Sequence, residues 1–210
     1  PPAMAVATNK LVASCGATSA AATFVHSKRY TPEVVLKAIP FTIVGALIGA
    51  FSLTTVPKDL LKPIIAIVIT GLAIYFWLRP QMGLTSTYTT LTKRLSGLVF
   101  AGAFIIGFYD GFLGPGTGTF LMFLMVRGLG FDFVHAAGNT KVLNWASNIT
   151  ALVLFLITGK IFFAAGLPMA AANLLGGYLG AHTAIRKGST WIRWIYLIMA
   201  LALVVRLLWR

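Results

Sequence analysis

The run Gly107-Phe108-Tyr109-Asp110-Gly111-Phe112-Leu113-Gly114-Pro115-Gly116-Thr117-Gly118-Thr119 holds the densest set of features from which a site could be made. Glycines at 111, 114, 116 and 118 around Pro115 do not continue a helix. The residues on either side are apolar, and irregular backbone at membrane depth is tolerated only where protein or a water-filled cavity satisfies its polar groups. The following stretch, Thr119–Leu129, is too short to cross a bilayer. Its start would aim amides and a positive dipole end at the break, which suits an anion. The alternative is a kink that only permits tight packing. A soluble phosphate loop is excluded, because Thr119 and Phe120 follow the last glycine where Lys and Ser or Thr are required.

Asp110 is the only acid inside an apolar run. An intramembrane carboxylate faces the protein interior, where it either titrates and couples proton movement or pairs with a cation and backbone donors. Lys10 and Lys141 each lead a polar stripe. Lys141, Asn144 and Asn148 recur at three- and four-residue spacing on one helix face, as do Lys10, Ser14 and Thr18. Two such stripes would line a hydrophilic path, whereas snorkelling to the interface explains each lysine taken singly. Trp145 falls in the second stripe and is a candidate wall of that path. The candidate substrate-binding set is therefore Asn9, Lys10, Asp110, Gly114, Gly116, Thr117, Gly118, Asn139, Thr140, Lys141 and Asn144. No catalytic residue, metal or cofactor is expected: Cys15 is alone, and His26, His135 and His182 lack ligand spacing.

The elements that must position these residues are membrane helices. Of 210 residues 58% are hydrophobic and 10% charged, against roughly a quarter charged in soluble domains. An all-α, polytopic transmembrane bundle is expected, with spans near 3–27, 33–54, 60–79, 95–113, 133–158, 163–185 and 190–209. Polar joints at 26–29, Pro57-Lys58-Asp59 and 186–189 separate them. The 17 Lys and Arg face four acids, which suits helix ends against anionic headgroups. Being scattered between apolar spans, they form no stripe for nucleic acid.

A shift of 131 residues lays Thr8-Asn9-Lys10 over Asn139-Thr140-Lys141, Phe24 on Phe155, Gly45 on Gly176 and Gly49-Ala50 on Gly180-Ala181. It also lays Lys62 on Arg193 and Arg79 on Arg210. The glycine pairs make small-xxx-small steps for close helix approach. Two repeats follow, 1–80 and 95–210, joined by a linker at 81–94. The first lacks a counterpart of the second's opening, so a fragment short of about 35 residues is expected from the repeat. If residues 95–130 cross once, the halves run parallel; an even number of crossings inverts them. Counted with a single crossing, Lys28, Arg29, Lys37, Arg79, Lys93, Arg94 and Lys160 share the more basic side. Lys58, Lys62, Arg186, Lys187 and Arg193 then share the other, which favours a cytoplasmic C-terminus.

Ala7-Thr8-Asn9-Lys10-Leu11, the run Tyr109–Gly118 and Gly138-Asn139-Thr140-Lys141 resemble motifs of the sulfite exporter TauE/SafE family of membrane permeases, in its uncharacterised bacterial branch. The similarity covers essentially the whole chain. It implies about eight transmembrane helices in two repeats, about seven of them here, and transport of a small anion such as sulfite or an organosulfonate. The expected setting is a multi-pass protein of the cell inner membrane, whose partners are the lipid bilayer, a small anionic substrate and protons as a candidate coupling ion. A non-transporting scaffold or a passive anion channel are the alternatives. An intramembrane enzyme lacks the paired carboxylates, nucleophile and base, or metal set that it would need.

Overall fold

The computed structural model describes residues 2–52, 70–71, 74–79, 81–157, 159 and 161–208. Lys58, Asp59, Lys62, Lys160, Trp209, Arg210 and most of the expected span at 60–79 lie outside the described residues. Among the described residues six α-helices have defined bounds: α1 Pro2–His26, α2 Pro32–Ser52, α3 Lys93–Phe112, α4 Thr117–Phe123, α5 Phe133–Ile157 and α6 Phe163–Leu208. A π-helical turn, Leu124–Gly128, extends α4, and Gly188, at φ 79°, divides α6 into two arms.

Local chemistry sets the ends. Thr92 caps α3 by accepting from the Leu95 amide at 3.3 Å. Pro32 opens α2 where its missing N–H is not needed. Asp132 caps α5 through the Val134 and His135 amides, at 2.9 and 3.1 Å. Helices α2, α3 and α5 are long and apolar enough to cross a membrane. Leu36, Phe51 and Ile157 stand 66%, 67% and 79% exposed, the outward apolar surface that a bilayer covers and water does not.

Helix α3 runs inward and α4 returns. Gly102 faces the Leu124 side chain and Gly128 faces Leu98, so the two form an antiparallel hairpin about the turn at 113–116. Both ends of that hairpin lie at one end of the bundle. There the segment 81–92 clasps the residues after α4: the Thr87 and Tyr88 amides donate to the Gly130 carbonyl and the Phe133 amide to Gly83. Tyr88 also stacks on Phe131 with ring centroids 4.2 Å apart.

Because the hairpin returns, α5 starts where α1 ends. Thr18 meets Trp145, the Thr31 amide meets Asn139, and Lys10 meets Asn148, so α1 and α5 cross antiparallel. Helix α5 spans 133–157, which is α1's 2–26 displaced by 131 at both ends, and α6 begins 131 residues after α2. Equivalent helices thus run in opposite directions, as an even number of crossings requires.

This corrects the assignment of charges to sides. Ser189 donates to Asp132 at 3.3 Å, so Arg186 and Lys187 lie at the same end as Lys28, Arg29, Arg79, Lys93 and Arg94 rather than opposite them. The start of α1 and the end of α6, Pro2 and Leu208, then lie at the other end of the bundle, with Ser52 and Ile157. A single crossing at 95–130 was the faulty premise, since the apolar stretch Thr117–Gly128 is too short to span and returns beside α3.

The core has two parts. The larger joins Phe24, Val34, Met125, Phe133 and Leu143 with Tyr196, around Phe76. The smaller seals the opposite end with Ala7, Ala50, Ala151, Phe155 and Ile161. Helices α2 and α3 interlock through glycine. A methyl group on Gly45 or Gly49 would strike the Phe104 or Phe108 carbonyl, and one on Gly107 or Gly111 would strike Thr42 or Ala46.

Candidate functional site

The break forms as its residues dictate. Helix α3 ends at Phe112, and Gly114 and Gly116 take φ of 85° and 86°, a region that side chains avoid. The Tyr109 hydroxyl donates to the Pro115 carbonyl, and its ring meets Phe120 edge-on at 5.1 Å, so α3 and α4 are tied across the turn.

Two polar constellations flank this break. The first is closed. Lys10 Nζ lies 3.0 Å from Asp110 Oδ2, with the two side chains 1% and 2% exposed. Lys10 also donates to Asn148 Oδ1 at 3.1 Å. Asp110 is held from α4 by the Thr117 hydroxyl at 2.8 Å and from α5 by the Ser147 hydroxyl at 2.6 Å. Gly114 covers the pair: a methyl there would stand 3.4 Å from Lys10 Nζ. Burial of two charges is tolerable only with such hydrogen bonding around them. Asp110 therefore has a cation and two hydroxyls as partners.

The second constellation is open. Lys141 is exposed and lines a cavity of about 630 Å³ together with Thr140, Gly116, Gly118 and Thr119. Glycines 176, 177 and 180 of α6 and the aromatic rings of Trp191 and Tyr196 complete its wall. Among the described residues Lys141 is the only charged one lining it. Thr140 is 3% exposed, and its hydroxyl has no hydrogen-bond partner among the described residues. An ammonium in walls that mix a few hydroxyl-bearing side chains with apolar surface is suited to an anion.

The expected residues thus separate. Gly116, Gly118, Thr140 and Lys141 come together in the cavity, and Lys10, Asp110, Gly114 and Thr117 in the closed cluster. Asn9 is exposed. Asn139 is buried and accepts from the Thr31 amide at 2.7 Å, joining α5 to the loop after α1. Asn144 offers its main-chain carbonyl to Ser147 and Asn148. Trp145 donates to Thr18 at 3.1 Å and so bridges α5 to α1. The start of α4 offers less than the dipole reading expects. The Thr117 amide is bonded to the Gly114 carbonyl, and the Thr119 and Phe120 amides to Gly116. With seven residues, α4 also sums few peptide dipoles.

Sequence reasoning passed over Ser147, Gly176, Gly177, Trp191 and Tyr196 as parts of these two constellations. Ser147 was one residue from the Asn148 stripe and carried a signal in its hydroxyl. The aromatic pair carried none, since Trp and Tyr near span ends read as an interfacial belt. Among the described residues no group of three or more His, Cys, Asp or Glu is placed to hold a metal ion.

Comparison with known proteins points to a membrane transporter family. Residues 1–207 match the family model described as Sulfite exporter TauE/SafE. The chain is 35% identical over 208 residues to "Probable membrane transporter protein ORF9" of Sinorhizobium sp, covering 99% of this chain and 79% of that one. It is 33% identical over 209 residues to "Probable membrane transporter protein" of Haemophilus influenzae, covering 100% and 81%. Over 210 residues it is 35% identical to "Probable membrane transporter protein YfcA" of Escherichia coli strain K12, covering 99% and 77%. No solved structure matches the chain.

Proposed function

The chain belongs to the sulfite exporter TauE/SafE family, and from that premise we propose that it carries a small anion, sulfite or an organosulfonate, across the cell inner membrane. The observation that carries this reading is the cavity at Lys141, whose single charge is positive and whose walls mix hydroxyls with apolar surface. The volume exceeds what a bare oxyanion fills, so it suits an anion with an organic body or one that keeps part of its hydration. Lys141 and Thr140 would hold the charged group, and Gly116 and Gly118 would let it approach the backbone of the break.

Residues 1–80 and 95–210 act in this reading as inverted halves, joined by 81–94. Inverted repeats support alternating access, because exchanging the conformations of the two halves opens the opposite side. Lys10 and Asp110 are then the closed counterpart of the Lys141 site. Protonation of Asp110 would release Lys10 and couple proton movement to opening. The end bearing Lys28, Arg29, Arg79, Lys93, Arg94, Arg186 and Lys187 faces the cytoplasm by the positive-inside rule.

Flux into proteoliposomes tests the reading, with sulfite, sulfate, organosulfonates and carboxylates offered with and without a pH gradient. Saturable flux of a sulfur-containing anion is expected, driven by the gradient and abolished in Lys141→Ala. Gradient-independent flux through the same lysine would make the protein a passive channel. Folded protein that passes none of these anions would overturn the reading.

A further inference from the structure

A second pair of cavities lies on the outer face of the α3–α4 hairpin, away from Lys141. One is a groove of ≈ 840 Å³ whose walls are mainly apolar, Leu98, Ile105 and Phe120 among them, with Arg94 and Arg127 also lining it. The other, ≈ 620 Å³, is lined by Arg79, Gln81, Thr85 and Thr87. Arg127 lines both, and its Nε donates to the Tyr75 hydroxyl at 2.7 Å, which fixes the guanidinium where they meet. Among the described residues no acidic side chain lines either cavity. A polar, cationic chamber therefore opens at the bundle's basic end onto an apolar channel that follows the hairpin into the membrane.

The channel reaches from Arg94 to Tyr109, about 22 Å along α3 at 1.5 Å per residue. That is enough to take an acyl chain through one leaflet of a hydrocarbon core roughly 30 Å thick. We propose that this composite site binds one anionic phospholipid, its phosphate between Arg79 and Arg127 and an acyl chain running along the hairpin to Tyr109 and Phe120. Charge complementarity selects the headgroup: three arginines, with no carboxylate among the described lining residues, attract an anionic lipid over a zwitterionic one. The tail ends on the Tyr109–Phe120 ring pair that ties α3 to α4, so the lipid braces the break from outside without touching Lys141.

Native mass spectrometry of the purified full chain tests this with phosphatidylglycerol, phosphatidylcholine and glycerol 3-phosphate offered separately. One phosphatidylglycerol is expected to remain bound in preference to phosphatidylcholine. Arg79→Gln with Arg127→Gln should weaken it roughly 25-fold, or about fivefold per arginine, with phosphatidylcholine unaffected. Both arginines are exposed, so the double variant should keep the wild-type circular dichroism. Ile105→Trp, which fills the channel, should displace the lipid with the arginines intact. Equal retention of the two lipids, or a preference that survives the arginine substitutions, would overturn the proposal. So would binding of glycerol 3-phosphate as tight as that of the lipid, which would make the chamber a site for a soluble organophosphate. A dimer free of lipid that dissociates in Ile105→Trp would instead give the groove to a second copy.

Discussion

Lys10 and Lys141 occupy matching places in α1 and α5, each eight residues into its helix, and meet opposite fates. Lys10 is sealed, 1% exposed, against Asp110 and Asn148, whereas Lys141 stands exposed in a cavity where no acidic side chain among the described residues opposes its charge. The neighbouring glycines follow suit. Gly45 and Gly49 are pressed against the α3 backbone, while within 4 Å of a methyl on Gly176 or Gly180 there is nothing among the described residues. One sequence pattern therefore serves two ends, and the difference lies in what packs against it. Where the α3–α4 hairpin reaches the lysine, charge is neutralised and space is filled. Where it presents Gly116, Gly118, Thr119 and Met122, a cavity stays open beside the lysine.

The strongest way to break this comparison is to take one charge from the closed pair. Lys10→Met or Asp110→Asn each leaves a buried polar or charged group unmatched and should lower stability by about 3–5 kcal/mol. The double substitution should recover most of that loss. Thermal unfolding of the detergent-solubilised protein reads both, and additive losses would show that the pair is not coupled. At the open lysine the effect should move from stability to binding. Lys141→Met should change unfolding by less than about 0.5 kcal/mol, while anion affinity falls roughly 10- to 150-fold, the worth of a charged hydrogen bond.

Glycine substitutions sharpen the contrast at smaller scale. Gly45→Ala or Gly49→Ala drives a methyl into backbone that cannot move aside and should cost about 1–3 kcal/mol. Gly180→Ala meets open space and should stay within about 0.5 kcal/mol of the parent. Equal melting shifts for the two glycine pairs would contradict the packing described above.

The smallest effect lies at the helix end beside Gly188. Burial alone would raise the Asp132 carboxyl, but hydrogen bonds from the His135 ring and amide and from the Val134 amide hold it below its ordinary value of 3.8. Its contribution to stability is therefore present above that value and is lost as pH falls through the lowered folded one. Asp132→Ala should cost about 1 kcal/mol as a lost helix cap and flatten the acid limb of a melting-temperature profile. An unchanged limb would assign acid sensitivity to another group.

Much of this molecule was legible in its sequence because a bilayer imposes strong local rules. Apolar length located α1, α2, α3, α5 and both arms of α6 to within a few residues, since every buried backbone group must be satisfied within its own helix. Glycine and proline at 111–116 announced the break, and the 131-residue register set Lys10 and Lys141 at matching positions. These are statements about one segment, or about two segments compared by eye along the chain.

Only the tertiary structure decided what those segments meet. That α4 turns back beside α3, which sets every later helix's direction, depends on Leu124 and Leu98 packing across the hairpin onto Gly102 and Gly128. That Asp110 pairs with Lys10 rather than Lys141 depends on a contact between residues 100 positions apart. Periodicity reports which face of a helix is polar, but a polar face does not record its partner. Charge neutralisation, exclusion of water and an open cavity arise between segments, and there the chemistry of two equivalent lysines diverges.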